Sequence, residues 1–314
     1  MAITTRNYSV SGTGANDCVY LAQRYDDERG FKPEDGECWV VTHNPGKNPP
    51  ITFRSYFGTT GWFTGVWRSP AGVIYVSGSS SGSVHINPDI LAKDSAKKWK
   101  DHDLGQALDG VWGLDDKFVL TWAGSWEGEN YLFSFDGKKW QKMPVPEFGI
   151  RAIHGLDRDL VFAVGENGGV ARWDGGKWKQ FPTPTDELLL SVFVAGPDEF
   201  YAAGSEGTLL EGSSQGWGKI ASIPAPKGPL LAVAKWNNEV WVGGGGKGLF
   251  KREGKKNKLT LIKPNAKVNS FSVGEKLLIG CEDFIAQTAD GENFVAAGAG
   301  FLQKARDGIE LGDM

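Results

Sequence analysis

The residues able to bind metals or carry out nucleophilic chemistry are few and badly spaced for it. Cys18, Cys38 and Cys281 lie far apart, whereas thiolate zinc ligands come in close pairs, so all three are expected to be reduced thiols. His43, His85, His102 and His154 show neither H-x-H nor H-x-x-x-H spacing, and no metal centre or cofactor is expected. The carboxylate pairs Asp115-Asp116 and Glu282-Asp283 are adjacent in turns. General acid–base work needs two carboxylates facing each other across a cleft, so these read as solvated turns. Arg24, Arg54, Arg68 and Arg151 are candidates for clamping an anion, but none sits in a motif that singles it out. The run GGGGKG from Gly243 to Gly248 lacks the following Ser/Thr and opens no helix, so it is a turn rather than a phosphate cradle. No catalytic set is recognised, and the chain is expected not to be an enzyme.

The elements that would position any site repeat along the chain. With 44 Gly and 13 Trp against 3 Met, the composition suits short strands and tight hairpins. From Ile150 to Pro184 there is an apolar strand, a turn at Asp157-Arg158-Asp159, LVFAVG, a turn at Glu166-Asn167-Gly168-Gly169, VARW, the turn Asp174-Gly175-Gly176, and KWKQF. Asp-Gly between alternating runs is a strong hairpin signal, so one unit is four antiparallel strands. The pattern recurs from Gly65, Gly110, Leu188, Pro229 and Val268, with a divergent first copy around CVYLAQRY. Tyr20, Trp67, Trp112, His154, Phe193, Ala234 and Ser272 fall at the equivalent first-strand position. A period of about forty residues with four strands per repeat is the arithmetic of blades. The expected fold is all-β: a single closed β-propeller over residues 1–314, with seven four-stranded blades and six or eight as alternatives. The blades are expected at 5–61, 62–106, 107–149, 150–187, 188–228, 229–266 and 267–303. Either the head (ITTRNYSV) or the tail after Phe301 is expected to close the ring, since open sheet edges invite pairing with other chains.

Asp136-Gly137 with Trp140, Asp174-Gly175 with Trp178, and Asp290-Gly291 with Phe294 resemble the hairpin of the broad YVTN/BNR-type, WD40-like propeller repeats. The serine before the aspartate and the threonine before the tryptophan of a full Asp-box are missing, as is the paired Gly-His and Trp-Asp signature of true WD40 repeats. The resemblance implies a fold and no particular function.

Aligning the repeats brings the turns between second and third strands to one face. They are Ser125-Trp126-Glu127, Glu166-Asn167, Ser205-Glu206, Gly246-Lys247 and Glu282-Asp283. Four of these five carry a carboxylate, enough to steer a basic partner, with Trp126 as a desolvated anchor. Trp67, Trp112, His154 and Phe193 are expected at the channel mouth. The net charge of −4 and pI near 5.7 disfavour nucleic acid. MAITTRNYSVSG has no leader pattern, and no apolar run of about 18 residues occurs, so a cytoplasmic chain without a membrane span is expected. The expected function is binding of another protein through one acidic face, as a protein monomeric on its own. One version is an immunity protein or inhibitor neutralising a basic effector or toxin. The alternative is a carbohydrate-binding or glycoside-processing propeller using Trp67 and Trp112.

Overall fold

Short apolar runs separated by glycine-bearing turns fold here into strand after strand. The computed structural model describes residues 3–13, 18–26, 37–43, 51–60, 62–90, 92, 94–124, 129–220, 228–252 and 258–298. The first sheet holds β1 (Ile3–Gly12), β2 (Cys18–Asp26), β3 (Glu37–His43) and β4 (Ile51–Thr60). The second holds β5 (Phe63–Arg68), β6 (Ile74–Gly78), β7 (Ser83–Asn87) and β8 (Lys100–Asp103). The third holds β9 (Gly110–Asp115), β10 (Phe118–Ala123), β11 (Tyr131–Phe135) and β12 (Trp140–Lys142). The fourth holds β13 (Ile150–Asp157), β14 (Leu160–Gly165), β15 (Val170–Trp173) and β16 (Trp178–Phe181). The fifth holds β17 (Leu189–Gly196), β18 (Glu199–Gly204), β19 (Leu209–Ser213) and β20 (Gly216–Ile220). The sixth holds β21 (Ala232–Trp236), β22 (Glu239–Gly243), β23 (Leu249–Arg252) and β24 (Leu259–Lys263). The seventh holds β25 (Val268–Val273), β26 (Leu277–Cys281), β27 (Phe284–Thr288) and β28 (Phe294–Gly298). Among the described residues, each sheet is thus four consecutive strands in sequence order.

Two details differ from the sequence reading. Tyr20 lies on β2, a second strand, and pairs with Val10 of β1. The head segment, a candidate closing strand, forms β1 and completes the first sheet. The divergence of this copy hid a strand ahead of CVYLAQRY. The tail after Phe301 lies outside the described residues.

The chain divides into two compact units, residues 1–107 with 269–314, and residues 108–268. In the second unit the core sits between successive sheets. Leu120, Trp122 and Leu132 of the third sheet pack with Ile153, Val161 and Trp173 of the fourth. Phe162 and Val164 pack with Val194, Phe200 and Leu210 of the fifth, and Tyr201 and Leu209 pack with Val233, Val242 and Phe250 of the sixth. In the first unit Val19 and Leu21 pack with Phe63, Val66, Ile74 and Val76. Covered on both faces, the second strands β6, β14 and β26 bury every residue and β10, β18 and β22 all but their first, while the fourth strand β16 leaves Lys179 and Gln180 exposed. That is why second strands read as unbroken apolar runs rather than alternating ones.

The Asp-Gly hairpins have a common cause. Asp174 Oδ1 accepts the Gly176 and Lys177 N–H groups at 3.0 and 2.9 Å, and Asp136 and Asp290 do the same for the residues two and three ahead. The intervening Gly137, Gly175 and Gly291 have φ of +91°, +94° and +80°, left-handed values that favour glycine. Backbone N–H donors, those of Lys177 and Gly176 first, hold the Asp174 carboxyl below its ordinary range.

Candidate functional site

In the second unit, the turns between second and third strands share one frame. Gly165, Gly204 and Gly244 donate their N–H groups to Gly169, Thr208 and Gly248 four residues on. The Glu166 N–H bonds Gly149 O just before β13, and the Ser205 N–H bonds Leu188 O just before β17. The Gly168 N–H bonds Glu187 O in the entry to the next sheet. Turns and entry loops are therefore stitched into one end of the unit. Gly168, with φ of +64° and the Thr185 carbonyl in the place of a Cβ, admits no larger residue.

Asn167 and Glu206 occupy the same exposed tip position, with φ of 54° and 53°. Lys247 is exposed on the corresponding turn of the sixth sheet. The entry loops add Glu147 and Asp186, both exposed, and Glu187, half-buried. These three carboxylates were missed in sequence because only turns between second and third strands were aligned.

Glu166 is held differently. Its Oε1 takes the Arg151 guanidinium at 2.8 Å, and Arg151 also lies 3.7 Å from Asp109, whose Oδ2 accepts the Gly124 N–H at 2.7 Å. Side-chain exposures of 16% for Arg151 and 20% for Glu166 make this a clasp rather than a displayed charge. Burial pushes the Asp109 carboxyl up, against the Gly124 N–H and Arg151. A signal for the clasp exists within the chain. The backbone bonds just described equate Arg151 and Glu166 with Leu190 and Ser205, so cation and carboxylate are lost together one repeat later.

Trp126 and Glu127 lie outside the described residues. In the first unit, Glu282 is half-buried and Asp283 exposed on the turn between β26 and β27. Burial, then the Asp283 charge, pushes the neighbouring Cys281 thiol up to about 12, which leaves it unreactive.

Three of the four aromatic candidates meet. Trp112, His154 and Phe193 stand on first strands β9, β13 and β17, half-buried, with ring centroids 5.8 Å and 4.6 Å apart in sequence. His154 Nδ1 accepts the Val194 N–H at 3.1 Å, and desolvation pushes the imidazole down to about 4. It is therefore neutral near pH 7. Trp67, in the first unit, leans instead on Tyr75 at 5.3 Å. Among the described residues no group of three His, Cys, Asp or Glu is placed to hold a metal ion, and no helix is long and apolar enough to cross a membrane.

No protein-family profile matches the chain. Over 73 residues it is 36% identical to the immune protein Tsi7 of Pseudomonas aeruginosa. That match spans 23% of this chain and about a quarter, 24%, of the relative's length. Among solved structures it resembles the WD40 propeller domain of Doa1, with a TM-score of 0.70 and 10% identity over 91% of this chain and 94% of that one. A streptogramin B lyase has a TM-score of 0.69 and 12% identity over 94% of both chains. YCF48 bound to D1 peptide has a TM-score of 0.63 and 16% identity over 90% and 92%. At such identities the likeness establishes the fold alone, a β-propeller.

Proposed function

We propose that this chain is a protein-binding propeller that neutralises an effector with a basic surface, in the manner of an immunity protein. The observation that carries the reading is the 36% identity over 73 residues to an immune protein. The electrostatics of the candidate face support it. Glu147, Asp186 and Glu206 are exposed on backbone that the turn-to-entry hydrogen bonds fix in place. A rigid display loses little entropy on binding, and its charges speed encounter with a cationic surface. Glu166 contributes scaffold to this face, through Arg151, rather than free charge.

Affinity capture from the native lysate at low and moderate salt, with mass-spectrometric identification, tests the reading. The expected result is one stoichiometric protein, rich in Lys and Arg on its surface, retained at low salt and weakened by E147Q/D186N/E206Q. Capture of a partner indifferent to both salt and these substitutions would overturn the basic-surface part, and an uncharged glycan as the bound species would overturn the whole.

A further inference from the structure

The second sheet carries a set of side chains that the binding function does not use. Ser81, exposed on the turn between β6 and β7, has its Oγ 3.0 Å from His85 Nε2. His85 Nδ1 lies 2.8 Å from Asp101 Oδ1 on the neighbouring strand β8. With Nδ1–H donating to the carboxylate, Nε2 is left as an acceptor aimed at the serine hydroxyl. This is the polarity of a nucleophile, a base and the group that orients the base.

The site is built rather than incidental. Phe63 sets its ring edge-on to the imidazole, with centroids 5.3 Å apart. Gly78 leaves open the space that the Ser81 hydroxyl and His85 Nε2 crowd, where a Cβ would collide with the hydroxyl. The turn is pinned on both sides. The Ser79 N–H bonds Trp62 O at 2.8 Å, the Trp62 N–H bonds Ser80 Oγ at 2.9 Å, and the Leu104 N–H bonds Gly82 O at 2.9 Å. Trp62 itself is 36% exposed beside this turn and offers an apolar surface to a bound group.

The scaffold does not require these residues. Counting from the last paired residues of the second and third strands, His85 and its partner Asp101 correspond to Ala171 and Gln180, Leu210 and Lys219, and Phe250 and Leu261 in the fourth to sixth sheets. Ala171, Leu210 and Phe250 are buried apolar side chains. Here a buried imidazole, 3% exposed, takes their place. The turn that carries Ser81 is also one residue longer than those of the fourth to sixth sheets, measured from Ser77–Val84 against Val164–Val170, Ala203–Leu209 and Gly243–Leu249.

We infer that Ser81, His85 and Asp101 form a nucleophilic triad that accepts the acyl group of small activated esters. Ser81 Oγ attacks the carbonyl carbon while its proton passes to His85 Nε2. The bond from that carbon to the leaving oxygen then breaks, and the leaving group takes the proton. Water, deprotonated by the same nitrogen, releases the acid and restores the serine. Asp101 acts through His85 as a positioning residue. The inference stands apart from partner binding, because the triad lies in the first unit and the clasped rim in the second.

The test is intact-mass and peptide-mapping detection of a fluorophosphonate adduct, with release of p-nitrophenol from its acetate ester as the second readout. One adduct per chain on Ser81 is expected, absent in S81A while that variant keeps its melting temperature. D101N should slow labelling at least about 10-fold, with D101E recovering part of it. Asp101 of β8 is the charged group bonded to His85, with Lys100 and His102 flanking it in sequence, while β5 and β6 present Phe63 and Gly78. Burial lowers the His85 imidazole below its ordinary value, and the Asp101 hydrogen bond and charge oppose that by favouring the protonated ring, so D101N should also move the midpoint of the labelling-rate pH profile further downward, which a purely structural bond would not do. A folded wild-type chain that forms no adduct, or one whose labelling survives S81A, overturns the inference.

Discussion

His154 shows how one side chain links packing to solution behaviour. Its Nδ1 receives the Val194 N–H, and burial holds it at about 4 against an ordinary 6.5. The unfolded chain therefore takes up a proton first as pH falls. This contribution to stability is complete above pH 6.5 and is lost progressively toward pH 4, by up to about 3 kcal/mol at 1.36 kcal/mol per unit. Urea unfolding across that range should show the loss, and H154Q, which keeps an acceptor but cannot charge, should flatten it. Glu206 has a different cost, since it sits at φ 53° without being glycine or asparagine. E206N should raise the urea midpoint by the equivalent of up to about 1 kcal/mol. The same change should weaken retention of a basic partner at low salt. A stabilised variant with unchanged capture would separate Glu206 from the proposed face.

At the level of the turn and strand, charge pairs replace apolar contacts locally. Arg151 of the fourth sheet bridges Glu166 of its own sheet's turn and Asp109 at the entry to the third, while the fifth uses Leu190 and Ser205 in place of Arg151 and Glu166. Removing Arg151 alone leaves two half-buried carboxylates facing each other, so R151L should cost about 1–3 kcal/mol. R151L/E166S, which imitates the next repeat, should recover most of that loss in the same denaturation assay. Failure of the double variant to recover would mean that the clasp supports more than its own turn. The hairpin aspartates act more locally. D174A removes the acceptor for two backbone N–H groups and should loosen β15–β16 pairing, read as faster amide exchange confined to Val170–Phe181.

For the molecule as a whole, stability rests on cores shared between sheets. Phe162 is fully buried and meets Phe181 of its own sheet and Phe200 and Trp217 of the next, with centroids 6.0, 4.3 and 5.8 Å away. Among the described residues of the second unit, the core clusters are each shared between successive sheets. F162A should cost about 3–5 kcal/mol. Because solved propellers match over more than nine-tenths of the chain, tryptophan fluorescence and far-UV circular dichroism are expected to report one coincident transition, shifted as a unit in F162A. Two separated transitions would show that the units at 108–268 and at 1–107 with 269–314 melt independently.

Local chemistry made the architecture readable from the chain alone. Asp-Gly turns declare hairpins because φ is positive there, and unbroken apolar runs declare strands covered on both faces. Both recur at a spacing that places Trp112, His154 and Phe193 on successive first strands. Divergence from the repeat is where that reading stopped, as with Tyr20, whose preceding strand carries no repeat signature. Pairings between side chains distant in sequence were decided only by the fold. Glu166 reads as a surface charge until Arg151 is seen closing on it, and Ser81, His85 and Asp101 share no motif, although register across β7 and β8 brings them within hydrogen-bond distance. Strand periodicity is written in neighbouring residues, whereas a hydrogen bond between side chains depends on which strands pair, in which register, and how long the turn between them is.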